Sequence, residues 1–302
     1  MASFQNVALL GKGFLGSAVL EQLAEAQFTT TVLTRSQSSL KDIPPGVQVR
    51  EVDYTSIDSL KDALRGNDVV VSTLNPASVP LQKVVIDASI AVRVKRFIPA
   101  DFGAMSTDPA AQSLPVHSRV VEIQKYLIDK ADAGEIEYTL FAVGGFLERM
   151  FTMPVAVDWE NHTAAMYDGG DNAISLSSLS TIGRAVAAAL NKPEETKNRV
   201  VRVHDIILTQ RKIFALAKKL TPGKTWTETA VDSEAAMLSL FQQLQTEGVT
   251  LPVYGGIFKA AFFGKKYETA YKSVDNEFLG LGFKSEEDVE KIAVELVQHP
   301  KL

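Results

Sequence analysis

Six residues near the start of the chain carry the first recognisable chemistry. Gly11-Lys12-Gly13-Phe14-Leu15-Gly16 has the spacing GxGxxG. It follows the apolar run Asn6–Leu10 and opens the amphipathic stretch Leu15–Ala26, the strand-to-helix setting in which that spacing has meaning. Gly11 suits the tight turn, Gly13 lets the backbone approach a pyrophosphate, and Gly16 lets the helix lie close to the strand. A helix starting at Phe14 turns its free N–H groups and positive dipole end toward an anion. With Gly11, Gly13, Phe14, Leu15 and Gly16 around it, a dinucleotide phosphate is the expected occupant.

The end of the second apolar run selects among dinucleotides. Thr29–Thr34 is followed by Arg35-Ser36, with no acid to hold a ribose 2′-hydroxyl. Arg35 can stack on adenine and pair with a 2′-phosphate, so NADP(H) is expected. Lys41 is near enough in sequence to add a second charge. Asp53, with Tyr54, is placed to border the adenine, and Thr73, Leu74 and Asn75 to line the diphosphate and ribose. Ala100 and Phe102, after the fifth run, are expected to touch the cofactor, and Gly144-Gly145-Phe146, after the sixth, to lie at its nicotinamide. All sit at the carboxyl ends of expected strands, where such sheets bind ligands.

Holding these residues together requires a sheet. Strand-like runs at Asn6–Leu10, Thr29–Thr34, Val47–Val52, Asp68–Thr73, Arg96–Pro99 and Glu137–Val143 alternate with helix-like stretches at Leu15–Ala26, Ser56–Leu64, Val79–Ala91 and Val116–Ala131. Val69-Val70-Val71 is continuously apolar, as in a strand buried on both faces. The alternation predicts an α/β fold: a doubly wound parallel Rossmann sheet with a smaller α/β C-terminal lobe. The expected division is 1–150 for the dinucleotide domain and 151–302 for the substrate lobe, with about 175–206 returning to the first. In the second part, Ser178–Leu190, Thr209–Leu220, Ser233–Gln245 and Ser285–Gln298 read as helices, and Arg199–Ile206 as one strand.

Composition limits the classes of partner. The 302 residues carry 31 Lys plus Arg against 36 Asp plus Glu, a net charge of −5. That balance disfavours nucleic acid and anionic membranes. Without cysteine there are no disulfides, thiolate chemistry or Cys-held metals, and no metal is expected. Met1–Asn6 lacks the positive segment of a secretory leader, and no window has the apolar length of a membrane span. A cytoplasmic protein with a small-molecule substrate is the expectation; the sequence leaves the oligomeric state open.

Several stretches together resemble the NmrA-like, isoflavone-reductase-like branch of the atypical short-chain dehydrogenases, in its fungal form. They are Gly11–Gly16, Arg35, Val94-Lys95-Arg96-Phe97-Ile98-Pro99-Ala100-Asp101-Phe102-Gly103 and Tyr138-Thr139. Ser175–Val186 and Val274–Leu281 extend the resemblance toward the C-terminus. It implies an NADP-binding Rossmann domain with a substrate lobe. It also implies one of two roles: NADPH-dependent reduction of a small, often aromatic or polyketide-like molecule, or NADP-state sensing without chemistry.

The reducing members of that family carry a lysine on the helix after the fifth strand. Setting Ile123 and Leu127 on the family's apolar positions puts Val120 in that slot, and a valine can neither donate a proton nor polarise a carbonyl. His117, three residues earlier, is the remaining local proton carrier. Ser113, Tyr126 and Lys130 match the spacing of ordinary short-chain dehydrogenases, but Tyr126 sits late on its helix and on another face. Asp101 is placed to orient the following helix or the nicotinamide loop, and Met150, Trp159, His162 and Tyr167 are candidates for the substrate pocket.

Overall fold

The computed structural model describes residues 4–298; the first three residues of Met1–Asn6 and the last four of the chain lie outside the described residues. The first half alternates as its periodicity predicts. Its strands are β1 (Asn6–Leu10), β2 (Thr29–Thr34), β3 (Gln48–Glu51), β4 (Val69–Ser72), β5 (Arg96–Ile98), β6 (Phe102–Gly103) and β7 (Glu137–Ala142). Between them run α1 (Phe14–Glu25), α2 (Ile57–Leu64), α3 (Gln82–Ala91) and α4 (Ser118–Asp132). The expected Val79–Ala91 helix divides into a 3-10 turn over Pro76–Leu81, capped by the Asn75 side chain, and then α3.

The second half contributes β8 (Gly145–Phe146), α5 (Leu147–Thr152), β9 (Thr163–Tyr167), β10 (Ala173–Ser177), α6 (Leu179–Leu190), α7 (Pro193–Thr196), β11 (Arg199–Arg202) and β12 (Ile206–Thr209). It continues with α8 (Gln210–Leu220), β13 (Thr227–Val231), α9 (Ser233–Glu247), α10 (Leu251–Phe263) and α11 (Glu286–Gln298). The large sheet runs β3-β2-β1-β4-β5-β7-β11, with β6 added against β7, and its pairings are parallel. Apolar clusters cover both faces. Val19, Leu20, Ile182 and Val186 belong to one, from α1 and α6; Leu60, Ile86 and Leu127 belong to the other, from α2, α3 and α4.

α6 lies very close to α1. A Cβ on Gly183 would stand 2.6 Å from the Ala18 carbonyl oxygen, so only glycine permits this approach. The second half therefore returns to the large sheet through both α6 and β11. Within the Val94–Gly103 stretch, Arg96 is structural. Only 1% exposed, it bonds Glu137 at 2.7 Å, the Thr196 hydroxyl at 3.0 Å and the Pro193 carbonyl at 2.7 Å, tying β5 and β7 to α7.

The structure corrects the single strand expected over Arg199–Ile206. β11 pairs with β7 in the large sheet, whereas β12 pairs antiparallel with β10 in a small sheet of order β12-β10-β8. The reason lies in two nearby N–H groups. Val203 donates to Ala142 at 3.0 Å and Asp205 to Leu176 at 2.8 Å, so the chain changes sheets at His204. β9 pairs with β13 apart from both sheets. α10 has no counterpart in the sequence reading: it is apolar nearly all round and contains Gly255-Gly256, so no stripe marks it. Among the described residues, no helix is long and apolar enough to cross a membrane, and no cluster of His, Asp or Glu has a metal-binding arrangement.

Candidate active site

Strand order reverses on either side of β1, which has β2 on one side and β4 on the other. Open α/β sheets bind ligands at this point, outside the carboxyl ends of the strands. A cleft of about 570 Å³ opens there. It is walled by the loop after β1, the ends of β2 and β4, the loop after β5, and the start of α5.

The three motif glycines have separate local reasons. Gly11 adopts φ +87°, a left-handed conformation that favours glycine, and its N–H bonds the Leu33 carbonyl at 3.2 Å. A Cβ on Gly16 would stand 2.2 Å from the Gly11 carbonyl oxygen and 2.6 Å from Thr73 Oγ1. Gly16 therefore lies beneath the cleft rather than in its wall, letting α1 close onto the strand ends. A Cβ on Gly13 would meet nothing within 4 Å, so the chain leaves open space at the start of α1. The Thr73 hydroxyl lies 3.0 Å and 2.8 Å from the Leu10 and Gly11 carbonyl oxygens, drawing the end of β4 to the turn.

Of the residues singled out from sequence, Gly11, Gly13, Phe14, Leu15, Arg35, Thr73, Leu74, Asn75, Ala100, Phe102 and Phe146 all line this cleft. Tyr54 lines it too, and its hydroxyl donates to the Leu33 carbonyl at 2.8 Å. Burial pushes that phenol well above its ordinary pKa, despite the nearby Arg35.

Several expected residues are elsewhere. Asp53 is exposed and caps its own turn, accepting from the Thr55 N–H and hydroxyl at 2.8 and 2.7 Å; those bonds hold its carboxyl below the usual range. Lys41 is exposed and its side chain is not part of the cleft wall. Its carbonyl receives the Lys12 ammonium at 2.5 Å, and Lys12 is the lysine that lines the cleft. Gly144 has φ +70°, and a Cβ there would stand 2.2 Å from the Ser175 carbonyl oxygen; β10, rather than the cleft, requires a glycine at this position.

The acid–base candidates are not among the residues that line the cleft. His117 is 8% exposed, and its Nδ1 stands 2.9 Å from the Ala111 carbonyl at the start of α4. Val120 packs onto the cluster containing Phe97, Ile123 and Leu127. Tyr126 donates to Asp87 at 2.5 Å, which pushes its pKa up to about 12, opposite to the shift a proton donor needs. Lys130 pairs with Glu135 at 3.2 Å, so the Ser113-Tyr126-Lys130 spacing is coincidental. Met150 and Tyr167 belong to a separate apolar cluster with Leu147, Ile213 and Phe262, and Trp159 packs against it with its indole N–H donating to the Met150 carbonyl; His162 stands edge-on to Trp226.

Two supports hold the loops at the sheet's carboxyl edge. Asp101 is buried behind Ala100 and Phe102 and accepts from the Ser106 hydroxyl at 2.7 Å and from the Gln124 amide. Burial raises its carboxyl pKa in spite of those bonds. The Tyr271 hydroxyl accepts the Gly144 N–H and donates to the Ala104 carbonyl, each at 2.9 Å, joining the loops after β6 and β7. Sequence reasoning also missed Arg149, which enters the cleft from α5. Lys12 stood inside a recognised motif; Arg149 had no sequence signal, because only the docking of α5 brings it there.

The architecture is that of a dinucleotide-binding α/β protein, and comparison with known proteins places it further. The profile of the NmrA-like family matches residues 5–300, and the chain belongs to that family. It is 31% identical to oxidoreductase aprR of Aspergillus flavus over 227 residues, covering 74% of this chain and 75% of that protein. It is 27% identical to the isoflavone reductase homolog IRL of Zea mays over 281 residues, covering 87% and 88% of the two chains. The solved structure of AtPrR2 with NADP+ and (+)pinoresinol superposes with a TM-score of 0.74 at 19% identity, over 97% of this chain and 99% of that one.

Proposed function

We propose that this protein is an NADPH-dependent reductase of a small aromatic or polyketide-like molecule. The open space at Gly13, at the switch point and at the start of α1, carries the reading. The relatives named oxidoreductases and the AtPrR2 complex with NADP+ support it. In this reading Gly11, Gly13 and the first N–H groups of α1 hold the diphosphate. Arg35 meets the 2′-phosphate, and Lys12 adds charge at the same end. Leu40 and Tyr54 line the adenine end, and Ala100, Phe102 and Phe146 wall the nicotinamide. The chemistry the cofactor supplies when bound is hydride donation. Residues 151–302, apart from the returning part at about 175–206, serve as the substrate lobe.

His117 and Val120 take no direct part in the chemistry, the first bonded to Ala111 and the second half-buried against the cluster of Phe97, Ile123 and Leu127. The protein's contribution is then orientation in an apolar cleft, with the product's proton drawn from water or from the substrate. The test is to mix purified protein with NADPH and a panel of aromatic ketones, enones and quinones, following the absorbance of the reduced nicotinamide. Turnover of at least one class is expected. Tight NADPH binding without turnover across the panel would favour a cofactor-sensing role.

Gly13→Ala tests the site separately. Its Cβ enters open space, so the thermal midpoint should stay close to wild type. NADPH affinity should fall about tenfold or more as the methyl meets the phosphates. Unchanged affinity would remove the diphosphate from this loop.

A further inference from the structure

We propose that Arg149 holds a negatively charged oxygen of the substrate, so that the cleft favours aromatic carboxylates over neutral aromatic compounds. The inference rests on the dinucleotide reading above and adds the substrate's charge to it. α5 begins directly after Phe146, and Arg149 follows one helical turn later, returning its side chain to the cleft wall. The guanidinium carbon sits 3.7 Å from the centroid of the Phe14 ring, which in turn stands 6.1 Å from the Phe146 ring. A guanidinium laid on an aromatic face is held in one plane while its N–H edge stays open.

That edge is poorly used within the protein. Arg149 donates to Met153 Sδ at 3.0 Å, a weak acceptor, and no carboxylate among the described residues forms an ion pair with it. Its neighbour Glu148 accepts the Leu179 N–H at 2.9 Å and forms no ion pair with Arg149, although its charge acts to raise the guanidinium pKa. Partial burial lowers the guanidinium pKa from its ordinary value, which reflects lost hydration. A poorly hydrated, unpaired arginine is the kind of group that gains most from a carboxylate.

The position of Arg149 along the cleft separates it from the other cations of the wall. Arg35 ends β2 beside Tyr54, and Lys12 is anchored on the Lys41 carbonyl, both on the adenosine side. Arg149 lies between Phe14, which opens α1 beside the diphosphate, and Phe146, which walls the nicotinamide in the proposed reading, so its free edge borders the nicotinamide end of the cleft. With Val120 and His117 elsewhere, it is the cation positioned to meet negative charge on the substrate.

The experiment uses benzoate and benzamide, which share a ring and shape but differ in charge, titrated by calorimetry into protein saturated with NADP+. Wild type should bind benzoate about tenfold or more tightly over benzamide, the difference expected of a charge-assisted pair. Arg149→Gln should bring the two within about twofold, Arg149→Lys should keep part of the preference, and benzoate affinity should suffer more than NADP+ affinity. Equal binding of the two probes by wild type would overturn the inference. So would an Arg149→Gln variant that keeps the benzoate preference but loses NADP+ affinity, since Arg149 would then grip the diphosphate. Failure of wild type to bind NADP+ at all would instead overturn the underlying dinucleotide reading.

Discussion

Individual residues at this site divide by what a single substitution would remove. Arg35 is exposed at the end of β2, so replacing it disturbs no packing. Arg35→Ala should weaken NADPH by about tenfold to a hundredfold, the range of a lost charge-assisted contact, and leave NADH within about twofold. Fluorescence titration of both cofactors checks this, and equal weakening would show that Arg35 does not read the 2′-phosphate. His117 illustrates the opposite case. Its residue type suggested proton transfer, but the fold commits its ring to a carbonyl at the start of α4. A histidine is legible in a sequence; its hydrogen-bond partner six residues away is not.

Among the elements, the glycine loop and its flanks were fully legible, because a strand, a turn and a helix in succession are local events. The far end of the cleft was not. Phe146 and Arg149 reach it only because β8 pairs with β10, about thirty residues further on, and α5 packs against α11, near the other end of the chain. Asp68 shows how the near end is secured. Its carboxylate accepts the Gln5 and Asn6 N–H groups, each at 3.0 Å, and pairs with Lys95 at 2.8 Å, pinning the starts of β1, β4 and β5 together. Burial alone would raise its pKa, but the Lys95 ammonium and the two N–H groups outweigh that and hold it below the ordinary carboxylate range. The folded state thus binds this proton more weakly than the unfolded chain does. The stabilisation is present above pH about 4 and is lost as pH falls through the lowered pKa. Denaturant unfolding of Asp68→Asn should show a deficit against wild type at pH 7 that shrinks toward pH 3. A deficit independent of pH would mean that the carboxylate's charge contributes nothing.

Taken whole, the molecule is a parallel sheet whose carboxyl edge is held from behind by the second half of the chain. α6 presses on α1 through Gly183, and Tyr271 joins the loops after β6 and β7. Ligand binding to such a cleft should stabilise the whole fold. NADPH at a hundredfold excess over its Kd should add about 2.7 kcal/mol, raising the thermal midpoint by several degrees, with NADH at the same concentration doing much less. An unchanged midpoint would mean that the folded protein does not bind NADPH. Tyr271→Phe tests the rear support. It removes the donor to Ala104 and the acceptor for the Gly144 N–H, and should cost about 1–3 kcal/mol in denaturant unfolding.

The net charge of −5 argues against polyanionic partners in general, whereas Lys12, Arg35 and Arg149 gather in the wall of one cleft. Sequence alone determined the alternation of strands and helices, the glycine turn, the arginine after β2 and the absence of thiol chemistry. These depend on residue type and on contacts within about forty positions. Tertiary structure decided which residues face the cleft. It kept Gly11, Gly13, Arg35 and Phe146, buried His117 and set Val120 half-buried against an apolar cluster, exchanged Lys41 for Lys12, and brought in Arg149. A side chain's direction depends on packing between distant segments, and no spacing along the chain records it.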